Sequence, residues 1–352
     1  MGVPAVQTAV PAGARAPAAQ LVPADQFERL FEQRLQRPVE VRQPVVLISQ
    51  IQRSGGTLLS QLLDNHRQLH AHPHELHIGF PRDKGDWPAL DLLAEPREWF
   101  DMLREYHVER TFLQGYTKYA RKWVQYEDER LETYPFLLIP SLQRALFERC
   151  ARTWAVKRQR DVLDAYMTSY FNAWVDNRNL YGDKLWVTGF SARLAVPRDN
   201  RRRFFNDYPD GRLMSIVREP RSWYASAVAY NADRYGNLKV SVERWRESAE
   251  AMIEARQRYG DRVLLISFER LLKELEPTME RIASFLGIDF EPTLLEPTFN
   301  GLPIKANSSF RTDRHGVLDA PLKRQEGLGR GDLETIERLA ADTYQRVLPL
   351  TA

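Results

Sequence analysis

The apolar run Val45-Val46-Leu47-Ile48 breaks into Arg53-Ser54-Gly55-Gly56-Thr57 and resumes apolar spacing at Leu58 and Leu59, which constrains the fold more than any other segment. A buried strand has to deliver the backbone to a turn there, and a helix has to leave it. The glycines let the backbone come close to an anion, while the first helical turn offers unpaired N–H groups at its positive dipole end. Arg53 adds a fixed positive charge beside those amides. The segment has the sequence form of a phosphate cradle; the plainer alternative is a strand, turn and helix with a capping Ser or Thr.

Set against the ATP-binding pattern G-x-x-x-x-G-K-[ST], Gln50 stands at the first glycine and Gly55 matches the second. Gly56 takes the lysine position and Thr57 matches the hydroxyl. With the cation moved inside the loop, to Arg53, the pattern points to a phosphate ester approached without a triphosphate and its magnesium.

A second segment reinforces the first. Residues 212–217 read as a short strand that ends in Arg218-Glu219-Pro220-Arg221-Ser222, and strand ends are where open α/β sheets bind ligands. Nucleoside triphosphatases hold magnesium with an aspartate on such a strand. An arginine fork suits a phosphate dianion instead, and Ser226, eight residues later on the next helix, adds a hydroxyl. The alternative is a surface arginine with a helix-capping serine.

The segment Gln52-Arg53-Ser54-Gly55-Gly56-Thr57-Leu58-Leu59 resembles the Pro-Arg/Lys-Ser-Gly-Thr-Thr loop of the sulfotransferases that use 3′-phosphoadenosine 5′-phosphosulfate (PAPS). The run Arg262-Val263-Leu264-Leu265-Ile266-Ser267-Phe268-Glu269-Arg270-Leu271, followed by Arg281-Ile282-Ala283-Ser284-Phe285-Leu286-Gly287, is similar to the late strand and helix of that family. The resemblance is good over residues 44–78 and 184–288, weak from Lys305 onward and absent over most of 87–181. It implies a P-loop NTPase-like sulfotransferase fold: α/β, a parallel sheet flanked by helices, with a helical insertion or lid at about 85–180. It also implies that Arg53, Ser54, Gly55, Gly56, Thr57 and Leu58 grip the 5′-phosphosulfate of PAPS, and that Arg218 and Ser226 hold its 3′-phosphate. A basic C-terminal loop closes over the donor in this family, which assigns Arg311 or Arg314 to the same phosphate.

The departures from the family pattern bear on catalysis. Gln52 replaces the usual proline and Gly56 the first threonine, although a Gly-Gly-Thr loop resembles the glycosaminoglycan branch. Small-molecule members present Lys-Thr-His near a strand that reads here Leu185-Trp186-Val187-Thr188-Gly189-Phe190-Ser191, with neither lysine nor histidine. The base has to come from elsewhere. Residues 66–78 carry five of the seven histidines, and Glu75 stands where the resemblance to carbohydrate sulfotransferases puts a catalytic glutamate. Glu75 is the first choice of base, with His74 and His77 as alternatives.

The same cluster raises the question of a metal. His74-Glu75-Leu76-His77 is H-E-x-H, whereas the helical zinc motif needs histidines at i and i+4, and Pro73 interrupts a helix there. No metal is expected; a zinc site built from several of the five histidines is the alternative.

At 352 residues and 43% hydrophobic content the chain suits one large globular domain over residues 26–352, preceded by an Ala/Pro-rich, disordered tail over 1–25. The formal net charge of +3 does not by itself imply nucleic acid, and Arg198, Arg201, Arg202 and Arg203 read as a solvated face. Cys150 stands alone, which precludes an intrachain disulfide. No apolar run approaches a membrane span and the tail is a poor secretion signal, so cytoplasmic placement follows by default. Strands are expected at 45–49, 185–188, 213–217 and 263–267 with a short fifth at 68–71, and helices at 26–36, 88–106 and 140–175. The aromatics of the insertion read as core, with Trp123, Tyr126 and Tyr134 as conceivable acceptor contacts. The expected activity is sulfuryl transfer from PAPS to a hydroxyl of a carbohydrate or other alcohol, leaving adenosine 3′,5′-bisphosphate. Its rivals are a noncatalytic protein that binds the same nucleotide, and a P-loop kinase or nucleotide hydrolase. Oligomeric state is open.

Overall fold

The computed structural model describes residues 24–78, 86–105, 116–117, 133–306 and 314–351. Its strands are β1 (Val45–Ile48), β2 (Leu69–Glu75), β3 (Tyr116–Thr117), β4 (Thr133–Tyr134), β5 (Trp186–Phe190), β6 (Arg212–Val217), β7 (Val263–Ser267), β8 (Thr298–Phe299) and β9 (Leu302–Pro303). Five of them form one sheet in the order β2-β5-β1-β6-β7, and every pairing in it is parallel.

The apolar runs explain why helices cover both faces. Successive side chains on a strand point to opposite faces, and β1, β6 and β7 are mostly apolar. Val45 and Leu47 enter a core with Leu142, Tyr166 and Met252, while Val46 and Ile48 enter a second core with Leu59, Ile282 and Leu286. Leu213 and Val217 join the first core, Met214 and Ile216 the second. Helices Pro140–Thr153, Gln159–Ala173 and Leu238–Tyr259 cover one side; Gly56–Leu63 and Leu275–Leu286 cover the other.

The chain leaves β1 toward β2 and leaves β6 toward β7, so the two connections diverge between neighbouring strands. That divergence opens a crevice at the carboxyl ends of β1 and β6, the place where open α/β sheets receive ligands.

The expected strands are present, with two shifts. β5 runs on to Phe190, and β2 extends through Pro73 to Glu75. Proline is tolerated there because β2 is an edge strand and its pairing with β5 slips in register between Ala71 and Glu75. The first helix is Ala24–Gln36, so Ala24 and Asp25 are helical; the rest of the expected tail lies outside the described residues. Of the helix expected over 88–106 only Pro96–Leu103 is helical, and the one expected over 140–175 is two helices, Pro140–Thr153 and Gln159–Ala173; the insertion also contains the antiparallel pair β3–β4, which periodicity did not indicate.

Arg201 corrects the reading of its cluster as a solvated face. Its side chain is 2% exposed and donates to the carbonyls of Ala195 (2.9 Å) and Val196 (2.6 Å) and to Glu254 (2.5 Å). Arg202 and Arg203 do face solvent. Tyr134 is core, packed near Phe299 (6.0 Å between ring centroids); Trp123 and Tyr126 lie outside the described residues.

Candidate active site

The loop after β1 is held carbonyl by carbonyl. The Gln50 carbonyl accepts from the amide of Arg193 (2.8 Å), that of Gln52 from Trp223 Nε1 (2.8 Å), and that of Arg53 from Arg218 Nη1 (3.0 Å). The Ile51 amide donates to Ser248 Oγ (3.0 Å). With these groups engaged from behind, the amides of Ser54 to Leu58 make no backbone hydrogen bond among the described residues. They are the unpaired N–H groups of a helix start, here gathered at the sheet crevice.

Gly55 is favoured by its dihedrals as well as by packing, and Gly56 by packing alone. Gly55 has φ 105°, and a Cβ there would lie 2.6 Å from Phe268 Cδ2. A Cβ on Gly56 would lie 2.1 Å from Gln50 Nε2 and 2.3 Å from Phe190 Cε2. The position that carries lysine in ATP-binding loops is therefore occupied here by the Phe190 ring and the end of the Gln50 side chain. Arg53 has φ 70°, a left-handed conformation that costs a non-glycine residue about 1–2 kcal/mol and persists only where the surroundings impose it.

Arg218 is 2% exposed, its Nε donates to Ser222 Oγ (2.9 Å), and its guanidinium carbon lies 4.5 Å from the centroid of Phe268. It is not the surface arginine of the plainer reading. Ser226 is buried in the same helix, Pro220–Tyr230. Phe268 thus touches both the Gly55 turn and Arg218, which brings all three sequence blocks to one place. Ser54 Oγ and the amide group of Gln50 are buried without a hydrogen-bond partner among the described residues. Such unsatisfied polar capacity beside unpaired amides fits a bound oxyanion. Thr57 and Leu58 are half-buried in the first turn of the helix.

Three groups at the loop escaped sequence reasoning. The Arg53 guanidinium carbon lies 4.5 Å from the Tyr230 ring centroid. Tyr235 is buried with its hydroxyl unbonded among the described residues; burial raises its phenol pKa, and the charges of Arg234, Arg193 and Arg53 pull it down. Arg193 follows β5 with φ 67° and is half-buried. A cation just past the carboxyl end of a strand was the available signal.

Glu75 ends β2 opposite Phe190 and is 33% exposed. Its Oε1 accepts from the Ala192 amide (3.2 Å), and its Oε2 lies 3.9 Å from His77 Nε2. Residues 190–193 therefore bridge the carboxylate to the loop: Phe190 packs at Gly56, Ala192 binds Glu75, and Arg193 binds the Gln50 carbonyl. The His74 and His77 rings are 6.2 Å apart.

The other histidines of the cluster serve the fold. His66 Nε2 meets the Asp289 carbonyl (2.8 Å), His72 Nε2 meets Glu105 (3.1 Å), and His70 is buried beside Phe171, its pKa pushed down to about 3 by burial and then by Lys184. Lys184 Nζ binds the Leu69 carbonyl (3.1 Å) and Asn179 Oδ1 (2.5 Å), at the end of the sheet away from the loop. No group of three metal-ligating side chains occurs among the described residues. Arg314 is exposed and its carbonyl accepts from the Ala306 amide (2.9 Å); Arg311 lies outside the described residues.

A parallel α/β sheet flanked by helices, with a glycine loop between its first strand and the next helix, defines a P-loop-like fold. The chain belongs to the sulfotransferase family, whose profile matches residues 44–292, from β1 past β7. Among solved structures it is similar to the sulfotransferase domain from the curacin biosynthetic pathway, with 16% identity over 85% of this chain and 98% of that one, at a TM-score of 0.48. It is also similar to the sulfotransferase domain from the Synechococcus PCC 7002 olefin synthase (16% identity, 87% and 98% covered, TM-score 0.44). Mouse sulfotransferase SULT7A1 complexed with PAP is a further one (12% identity, 90% and 90% covered, TM-score 0.39). No curated protein sequence matches the chain. No helix among the described residues is long and apolar enough to cross a membrane.

Proposed function

We propose that this protein transfers a sulfuryl group from PAPS to a hydroxyl of a carbohydrate or other alcohol. The observation that carries the reading is the set of amides from Ser54 to Leu58 that make no backbone hydrogen bond among the described residues, lying beside Arg53 in a chain of the sulfotransferase family. In this reading those amides, Ser54 Oγ and Thr57 hold the 5′-phosphosulfate. Arg218 and Ser226 serve the 3′-phosphate, joined by Arg314 or Arg311. Holding the donor at both ends fixes the sulfur for in-line attack, and positioning of this kind supplies about 7–11 kcal/mol in favourable cases.

Glu75 is the proposed base, with His74 and His77 as the other candidates. The acceptor oxygen bonds to sulfur as the bond from sulfur to the bridging phosphate oxygen breaks, and the acceptor proton passes to the base. Arg53 and Arg193 balance the charge that grows on the departing adenosine 3′,5′-bisphosphate. The reading assigns no metal, because arginines supply the neutralisation that magnesium supplies to kinases.

Thermal stabilisation by adenosine 3′,5′-bisphosphate, compared with ATP and magnesium, tests the donor assignment. A ligand at 100 times its dissociation constant adds about 2.7 kcal/mol. A larger response to ATP overturns the assignment; stabilisation by the bisphosphate with no transfer to any alcohol indicates a binding protein.

A further inference from the structure

Glu105 lies just beyond the helix Pro96–Leu103 and is 3% exposed, with no arginine or lysine bonded to it among the described residues. Its Oε1 accepts from His72 Nε2 (3.1 Å) and from the Tyr166 hydroxyl (3.3 Å), and its Oε2 accepts from the backbone amide of His77 (3.1 Å). His72 precedes Glu75 by three residues and His77 follows it by two. The far nitrogen of the His72 ring, Nδ1, meets the carbonyl of His74 (2.8 Å), and the ring stacks on Tyr170 (4.7 Å between centroids, 26°). One buried carboxylate thereby grips both arms of the turn that carries the candidate base.

The sheet does not hold the residues just before Glu75. β2 is an edge strand, Pro73 removes an amide donor from it, and its register slips between Ala71 and Glu75. The hydrogen-bond ladder therefore lapses between Ala71 and Glu75, and resumes where Glu75 pairs with Phe190 and the Leu76 amide donates to the Phe190 carbonyl (2.6 Å). Burying a carboxylate is costly unless its hydrogen bonds are met. Here they are met by groups on either side of Glu75: burial pushes the Glu105 pKa up, but the His72 charge and the bonds from His72 and His77 outweigh it and hold it below the ordinary range.

We propose that Glu105 is the positioning residue of this active site, setting the place of the Glu75 carboxylate through the His72 ring and the His77 amide. The inference rests on Glu75 being the base. A displacement of about 1 Å in a reacting group costs about 10²-fold in rate, so loosening the grip lowers turnover without touching the donor site.

The test uses the full chain and a double-mutant cycle. Turnover is read as release of adenosine 3′,5′-bisphosphate from PAPS with a pool of monosaccharides and simple alcohols, and donor-site integrity as calorimetric affinity for adenosine 3′,5′-bisphosphate. Glu105→Gln is expected to lower kcat by about 10-fold or more with that affinity held within about twofold. Glu75→Gln is expected to lower kcat by about 10² or more, and Glu75→Gln/Glu105→Gln to fall no further. Wild-type kcat in Glu105→Gln, an affinity loss that matches the kcat loss, or a further drop in the double variant overturns the positioning role. Wild-type kcat in Glu75→Gln instead overturns the base assignment. Hydrogen exchange at the His77 amide needs no acceptor. It is expected to be about tenfold faster or more in Glu105→Leu, and unchanged protection there overturns the proposal whatever the assay shows.

Discussion

Arg218 Nη1 donates a 3.0 Å hydrogen bond to the carbonyl oxygen of Arg53. The two residues are far apart in sequence yet lie on the loops that follow the neighbouring strands β1 and β6. The bond shows the two segments meeting at one crevice, and it engages the carbonyl of Arg53, whose backbone is left-handed.

Arg218→Ala is expected to weaken binding of adenosine 3′,5′-bisphosphate by about tenfold or more, since hydrogen bonds to a charged group are worth about 1.5–3 kcal/mol. Calorimetry reads the affinity. An unchanged dissociation constant removes Arg218 from the donor site.

Gly56→Ala is expected to destabilise the fold by about 1–3 kcal/mol, because the added methyl meets Gln50 and Phe190. Gly56→Lys, which restores the residue of ATP-binding loops, is expected to be less stable still and to gain no ATP affinity. Urea unfolding measures the first effect, and nucleotide titration the second.

Arg193→Ala is expected to lower kcat with little change in affinity for adenosine 3′,5′-bisphosphate, if its charge acts chiefly on the leaving oxygen. Preorganised donors of this kind are worth about 2.7–4 kcal/mol elsewhere. Equal losses in affinity and kcat would instead make Arg193 part of ground-state donor binding.

Stability is expected to fall as pH rises toward neutrality on account of Asp164. Burial pushes its pKa up from the ordinary carboxylate range to about 7, against the opposing effects of the Tyr208 hydrogen bond and Arg160. A carboxyl that holds its proton more tightly in the folded state contributes its full stabilisation below the unfolded value and loses it as pH passes through the folded one. Urea titrations between pH 4 and 8 are expected to show this decline in the wild type and a flatter profile in Asp164→Asn. An identical slope in both proteins assigns the decline to another group.

Much of the fold was legible because its signals are local. β1 and β7 are apolar runs that turn at glycine or serine, and both sit where the pattern put them. The reach of β2 to Glu75 was not legible, since Pro73 argues against a strand unless the strand is known to lie at an edge. Arg201 looked solvated within a run of arginines. Its burial depends on Glu254 and two carbonyls that no spacing rule connects to it.

The sequence by itself determined the glycine loop between strand and helix, the α/β layering and the family, because strand periodicity, glycine dihedrals and helix-start chemistry act over a few neighbouring residues. Only the tertiary structure decided that Arg218 grips the Arg53 carbonyl, that Gln50 and Phe190 fill the space beside Gly56, and that Glu105 holds the turn bearing Glu75. Those contacts follow from which strands lie side by side and which helices cover them, and that order is set by the burial of two whole cores rather than by any one motif.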